Sequence, residues 1–146
     1  MVSQNTQFVG LVLMCFVAFA TGAPADEPLS TGDRDSIRSV IESQLDAFRR
    51  DDADDAFSFA APIIREKFGN AVTFIEMVRT GYRPVYRPSE VVFRDIDMSG
   101  TLPIQEVLVV DREGGSFIAH YPMQRQPDGH WLIAGCFLSP FEGEST

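Results

Sequence analysis

The chain carries two histidines, His120 and His130, two cysteines, Cys15 and Cys136, and three tyrosines, Tyr82, Tyr86 and Tyr121. The sharpest chemical pairing among them is Cys136 with His120. Directly opposed strand residues sit about 5 Å apart at Cβ, close enough for an imidazole to lower a thiol pKa and create a nucleophile. Against it, a free Cys is more often a small buried hydrophobe. Tyr121 offers a hydroxyl that needs a partner when buried, or packs in the core with that hydroxyl on a backbone carbonyl. The stretch Tyr82-Arg83-Pro84-Val85-Tyr86-Arg87-Pro88 brings two aromatic rings and two guanidinium groups together. That combination suits a carboxylate or a planar ligand; a loop stapled by Arg to the chain's many carboxylates is the favoured explanation.

Other constellations carry less. Asp51, Asp52, Asp54 and Asp55 are calcium-ligand types, but the Gly and distal Glu of a calcium loop are missing. Helix capping and solvation account for them. His120, His130 and one Cys make no zinc spacing. Gly114-Gly115 joins two strands and opens no helix, so it is a turn rather than a phosphate cradle. There is no Gly-x-Ser-x-Gly. No catalytic residue, metal or cofactor is assigned.

The elements that position these residues follow from periodicity. A helix starts near Asp33, with Ile37, Val40, Ile41, Leu45 and Phe48 at three- and four-residue steps. The acidic run from Asp51 suits the start of a second helix, which stops before Pro62. Ile63 to Phe68 is another short turn of helix. Asn70 caps the helix Ala71 to Thr80, which Gly81 ends. From Tyr82 the pattern changes to period two. Val85 to Ile96, Ile104 to Asp111, Ser116 to Gln126 and Trp131 to Leu138 read as four strands. Helices first and an antiparallel meander after them predict an α+β fold, the helices packed on one face of a mostly antiparallel sheet of four strands or more.

Pro127-Asp128-Gly129 sets the register of the closing hairpin. Pro fixes φ at the first turn position and Gly takes the left-handed position of a G1 bulge, so Gln126 closes against His130. Carried along both strands, this pairs Met123 with Ile133, Tyr121 with Gly135 and His120 with Cys136. Phe117, Ala119, Tyr121, Met123, Trp131, Ile133 and Phe137 then share the face under the helices, with Trp131 as an anchor. Ile118, His120, Pro122, Leu132, Cys136 and Leu138 share the other face, so the Cys136–His120 pair points away from any pocket. Gly135 opposite Tyr121 leaves space for a ligand.

Composition bounds the rest. The 146 residues make room for one domain, with a net charge of -9 that repels phosphate backbones and anionic lipid. No nucleic acid partner is expected. The first 25 residues carry no charged side chain, and residues 8–20 form an apolar run too short to span a bilayer. Residues 1–25 therefore read as a signal peptide and cleavage region, cut after Ala20, Gly22 or Ala25, a position that N-terminal sequencing of the exported protein reads directly. Export to the periplasm or the medium, with no membrane attachment after cleavage, is the expectation. Removal of Cys15 leaves Cys136 without a disulfide partner. Residues 26–32 read as a disordered leader, 33–140 as the domain and 141–146 as a flexible tail.

The order of parts resembles the nuclear transport factor 2-like superfamily, a cone-shaped α+β fold. Three stretches carry the resemblance: the opening helix from Ile37 to Phe48, the acidic, aromatic, then Pro stretch from Asp51 to Pro62, and the turn and strand Asp128-Gly-His-Trp-Leu-Ile133. More closely, residues from Asp33 to Leu138 are similar to the bacterial group known as domain of unknown function 4864. The short strand that many relatives insert between the second and third helices is not evident. The resemblance implies a pocket between helices and sheet, in which the superfamily's enzymes use acidic, Tyr or His groups for proton transfer. No such catalytic residue transfers to a position of this chain.

Two function classes follow. The leading one is an exported binding or interaction module with a modest apolar pocket for a small-molecule ligand, lined by Tyr121, Tyr82, Tyr86, Arg87 and Trp131. The rival is a cone-fold enzyme doing acid-base chemistry of the isomerase, dehydratase or cyclase type on a small organic substrate. The apolar face offers Tyr121 and no carboxylate or His, which favours binding over catalysis. The second sheet face is too apolar to be freely wet and predicts a homodimer. Light scattering at micromolar concentration should give the mass of two chains; the mass of one would overturn the dimer.

Overall fold

The computed structural model describes residues 28–143. The apolar run read above as a signal peptide lies outside the described residues. Helix α1 spans Thr31–Arg49, two residues longer at its start than the apolar periodicity implies. The reason is a capping box. The Ser30 hydroxyl accepts from the Asp33 N–H at 3.0 Å, and the Asp33 carboxylate accepts from the Ser30 N–H at 3.1 Å. Ile37, Ile41, Leu45 and Phe48 fall on the buried face, joined by Gln44 and Ala47. Asp51, in the left-handed region at φ 54°, ends the run. Asp52 then caps α2 (Ala53–Ser58) by accepting from the Asp55 N–H at 3.0 Å. Helix α3 spans Pro62–Phe68 and starts on a proline, whose missing N–H costs nothing in the first turn. Asn70 caps α4 (Ala71–Gly81) through the Thr73 N–H at 2.8 Å.

The strand expected from Val85 starts later. Arg83–Tyr86 is a short helix, α5, because Pro84 sits in its first turn and the Tyr82 carbonyl accepts from the N–H groups of Val85 and Tyr86. Val85 and Tyr86 are buried as part of the helical layer. Strand β1 begins at Glu90 and runs to Asp97.

The sheet is antiparallel and open, with β2 (Ile104–Val110), β3 (Ser116–Arg125), β4 (Trp131–Ile133) and β5 (Phe137–Pro140) following β1. β1 pairs β2 and β2 pairs β3. β4 and β5 both pair β3. The β1–β2 register shifts between Phe93 and Ile96, so Arg94 and Asp95 stand out of the ladder. The closing turn forms as its residues dictate: Gly129 is at φ 93°, and the Gln126 N–H donates to the His130 carbonyl at 2.7 Å. Val107, Val109, Ala119, Tyr121, Met123, Trp131 and Ile133 turn inward under the helices and are buried. Among the described residues, no helix is long and apolar enough to cross a membrane.

One bridge compensates for the strand that is not evident between α2 and α3. The Ile133 N–H donates to the Phe59 carbonyl at 2.9 Å, and the Ala61 N–H donates to the Ile133 carbonyl at 2.8 Å. The link between α2 and α3 thus lies parallel against β4 and grips its far edge.

Asp33 ties the first helix to the last hairpin. The Trp131 Nε1–H donates to Asp33 Oδ1 at 3.1 Å, and the Arg125 guanidinium pairs with the same carboxylate while covering the Trp131 ring at 5.0 Å. Hydrogen bonds from the Ser30 side chain, then from Trp131, hold the Asp33 pKa down at about 2, against an ordinary 3.8. The folded state therefore binds this proton less readily than the unfolded chain. The stabilisation is complete above about pH 4 and fades as pH falls towards 2. Asp33→Asn should lower stability at neutral pH and remove that part of the acid-side slope, measured by urea unfolding at pH 2 to 7. An unchanged slope would show that Asp33 is not the group responsible.

Candidate functional site

A cavity of about 110 Å³ lies between the helical layer and the inner face of the sheet, open to solvent on one side. Phe48 of α1, Phe74 and Val78 of α4, Val85 of α5 and Ile133 of β4 supply an apolar wall. These residues face the sheet because the apolar positions of α1 and α4 recur at helical spacing. Five groups with polar heads join them: Gln44, Lys67, Tyr82, Tyr121 and Cys136.

Cys136 is not where an unbroken hairpin register would put it. Met123 pairs with Ile133, as expected, yet His120 pairs with Phe137 rather than with Cys136. The returning chain has gained one residue between β4 and β5. The cause is Pro122. Ala134 donates its N–H to the Pro122 carbonyl at 2.8 Å, which is half of a two-bond antiparallel pair. Proline has no N–H to return the second bond, so the ladder stops there. Ala134, Gly135 and Cys136 lie outside the strands, and pairing resumes one residue out of step.

The slip exchanges the two faces. Phe137 moves outward, where it stacks on His120 with ring centroids 4.4 Å apart. Leu138 and Cys136 move inward against the core. The proposed Cys136–His120 nucleophile is therefore overturned: the two residues lie on opposite faces of the sheet. His120 instead stands between Ser139, at 2.9 Å from its Nε2, and Glu106, at 3.6 Å from its Nδ1. The signal for this correction was in the chain all along, as a proline in the middle of a ten-residue strand.

Tyr121 and Cys136 now share the cavity. Tyr121 is 1 % exposed, and among the described residues its buried hydroxyl makes no hydrogen bond of ordinary geometry; the weakly accepting Cys136 thiol lies beside it. Burial of such a group costs about 1–3 kcal/mol. Burial raises the Tyr121 pKa well above its ordinary value of 10, and the neighbouring Cys136 raises it further. Burial also pushes the Cys136 thiol up to about 12, the Tyr121 hydroxyl only partly opposing this. Both groups are thus protonated at neutral pH and present hydrogens rather than lone-pair charge. Gln44, 4 % exposed, donates from Nε2 to the Ala56 carbonyl at 3.1 Å. Its Oε1 accepts no hydrogen bond among the described residues.

Tyr86 and Arg87 belong to a different cluster. Both oxygens of Asp51 accept from the Arg87 guanidinium at 2.8 Å, and Asp51 also accepts from the Tyr86 hydroxyl. Arg87 donates to the Arg49 carbonyl at 2.6 Å as well. The Tyr86 bond, then Arg87, lowers the Asp51 pKa. This arrangement staples α5 to the end of α1. Its outer side forms an open groove with Arg79, Arg83 and Arg112. Trp131 sits in the core beside Asp33 and outside the cavity wall. Of the five sequence candidates, then, Tyr121 and Tyr82 come together at the cavity, while Tyr86, Arg87 and Trp131 do not join them. Gln44, Lys67 and Cys136 were not foreseen as cavity residues.

The acidic run serves structure. Asp52 caps α2, and Arg50 bonds Asp46, Asp52 and Asp55 at 3.0, 3.1 and 2.7 Å. Among the described residues, no group of His, Cys, Asp and Glu side chains could hold a metal ion.

With its pKa near 12, the thiol is almost wholly protonated below pH 9. In the native protein Cys136 should resist a disulfide exchange reagent at pH 7.5, and in urea it should react at the rate of an unhindered thiol. Rapid labelling of the native protein would contradict the half-buried, protonated placement.

No curated protein and no solved structure matches the chain. A family model does match, over residues 30–146, from the α1 cap through the whole sheet. On that match the chain belongs to the family described as Domain of unknown function (DUF4864).

Proposed function

We propose that the protein is a binding module that holds a small, mainly apolar molecule in the cavity over Tyr121. One observation carries this: a buried hydroxyl on the wall of an open apolar cavity, with only the weak sulfur acceptor of Cys136 beside it and no oxygen or nitrogen partner among the described residues. A native fold satisfies its buried polar groups, and an exception asks for an explanation. A ligand atom that accepts from Tyr121 supplies one, while the aromatic wall takes the rest of the molecule.

The competing reading is acid-base catalysis. That chemistry needs a group poised near the working pH. Tyr121 and Cys136 are both displaced away from neutrality, towards the protonated form. They suit hydrogen-bond donation better than proton abstraction. Export through the apolar N-terminus is part of the same proposal. So is association of two copies through the outer sheet face, where Val92 and Phe137 are 42 % and 48 % exposed.

Binding can be tested with 4-ethylphenol, a neutral probe with an apolar ring and one hydroxyl. Titration calorimetry should show saturable binding, weakened about fivefold by Tyr121→Phe, the worth of one net hydrogen bond of about 1 kcal/mol. Without the probe, Tyr121→Phe should be no less stable than the parent, since it removes a hydroxyl with only a weak sulfur acceptor beside it. Absence of binding at millimolar probe, or equal affinity for both proteins, would refute the pocket.

A further inference from the structure

Lys67 is the chain's single lysine; the other eleven basic residues are arginines. It lines the cavity from the last turn of α3. Its side chain is exposed, with the ammonium 5.5 Å from the centre of the Phe68 ring, itself a wall residue. Among the described residues, no carboxylate pairs with it. Neighbouring Arg65 is committed elsewhere, donating to the carbonyls of Ala60 and Ser58 at 3.0 and 2.7 Å. Among the described residues, no acidic side chain lines the cavity.

The cavity thus has a polarity along its depth. An apolar wall and a neutral hydroxyl donor occupy the interior, and one unpaired cation marks the open side. The chain as a whole carries a charge of -9, which repels anions. The rim of this cavity is an exception to that field.

We infer that the ligand is a small monocarboxylic acid with an aromatic or short branched body and a polar atom at its far end, such as a hydroxyaryl acid. The inference rests on the pocket proposed above. The carboxylate stays at the wet rim beside Lys67, where it keeps most of its hydration. The body fills the aromatic wall, and the far polar atom accepts from Tyr121. A single ammonium matches a single negative charge; a phosphate dianion calls for several donors in a fork or a nest. At about 110 Å³ the cavity is smaller than the roughly 150 Å³ one that takes up benzene, so it takes only part of an aromatic body. The remainder of a larger molecule projects through the open side.

The test compares 4-hydroxyphenylacetate with 4-ethylphenol, which shares its ring and hydroxyl but lacks the charge. Calorimetry on the purified protein at low salt should show the acid binding about fivefold tighter, the upper range of an exposed ion pair. Lys67→Gln should abolish that advantage and leave 4-ethylphenol unchanged, and Lys67→Arg should keep it. Raising the salt to 0.5 M should weaken the acid and spare the phenol. If 4-ethylphenol binds and the acid is no tighter, or the advantage persists in Lys67→Gln, the acid class is wrong and the pocket stands. If neither probe binds, the pocket falls and this inference with it.

Discussion

The geometry of the candidate site depends on one hydrogen bond that proline cannot make. Pro122 accepts from Ala134 but has no N–H to return. The hairpin ladder therefore ends four residues after it begins to pair. Below that point the chain re-engages β3 one residue late. A slip of one in a period-two structure exchanges every later side chain between faces. Cys136 arrives beside Tyr121, and Phe137 leaves for the opposite side. Neither residue is unusual for its new place. What is unusual is that a missing donor on one strand chooses which side chains its neighbour turns inward.

The same hairpin is secured from the helical side. Asp33 caps α1, accepts from Trp131 and pairs with Arg125. The Phe59–Ala61 link grips Ile133 by two backbone bonds. The closing strands are thus fixed at both ends of β4 before the ladder breaks. The break is local for that reason: β5 rejoins the sheet within three residues. Tyr121 lies in the centre of this braced region, its burial offset by packing and by the weak contact with the Cys136 thiol. Ile64, Lys67 and Phe68 of α3 line the cavity beside it.

Much of this was legible in the residues. Asp52 and Asn70 cap their helices as their types imply, and Pro-Asp-Gly makes the turn that its sequence specifies, whereas Ser30, read as part of a disordered leader, is the cap of α1. Tyr121 points inward because it shares parity with Ala119 and Met123. The errors have physical causes. Val85 follows a strand-like alternation, but Pro84 and the Tyr82 carbonyl hold it in a helical turn. The register of Cys136 failed because alternation was carried through a proline that interrupts it. Gln44 was hidden as a polar residue within an amphipathic helix, where its place on the buried face is visible only once α2 is docked. Lys67 was invisible for a different reason: nothing local says that the end of a seven-residue helix will lie at the mouth of a cavity.

The displaced pair Arg94–Asp95 in β1 has a consequence for how this sheet meets others. An open sheet presents unpaired backbone along its outermost strands, and such strands invite lateral growth. Here each outer margin is spoiled in its own way. β1 loses its regular spacing at two charged residues, and β5 is four residues long and ends on Pro140. The α2–α3 link already occupies the flank of β4. Side-by-side extension into a continuous ribbon is thereby discouraged, while the broad outer surface carries the exposed side chains of Val92 and Phe137.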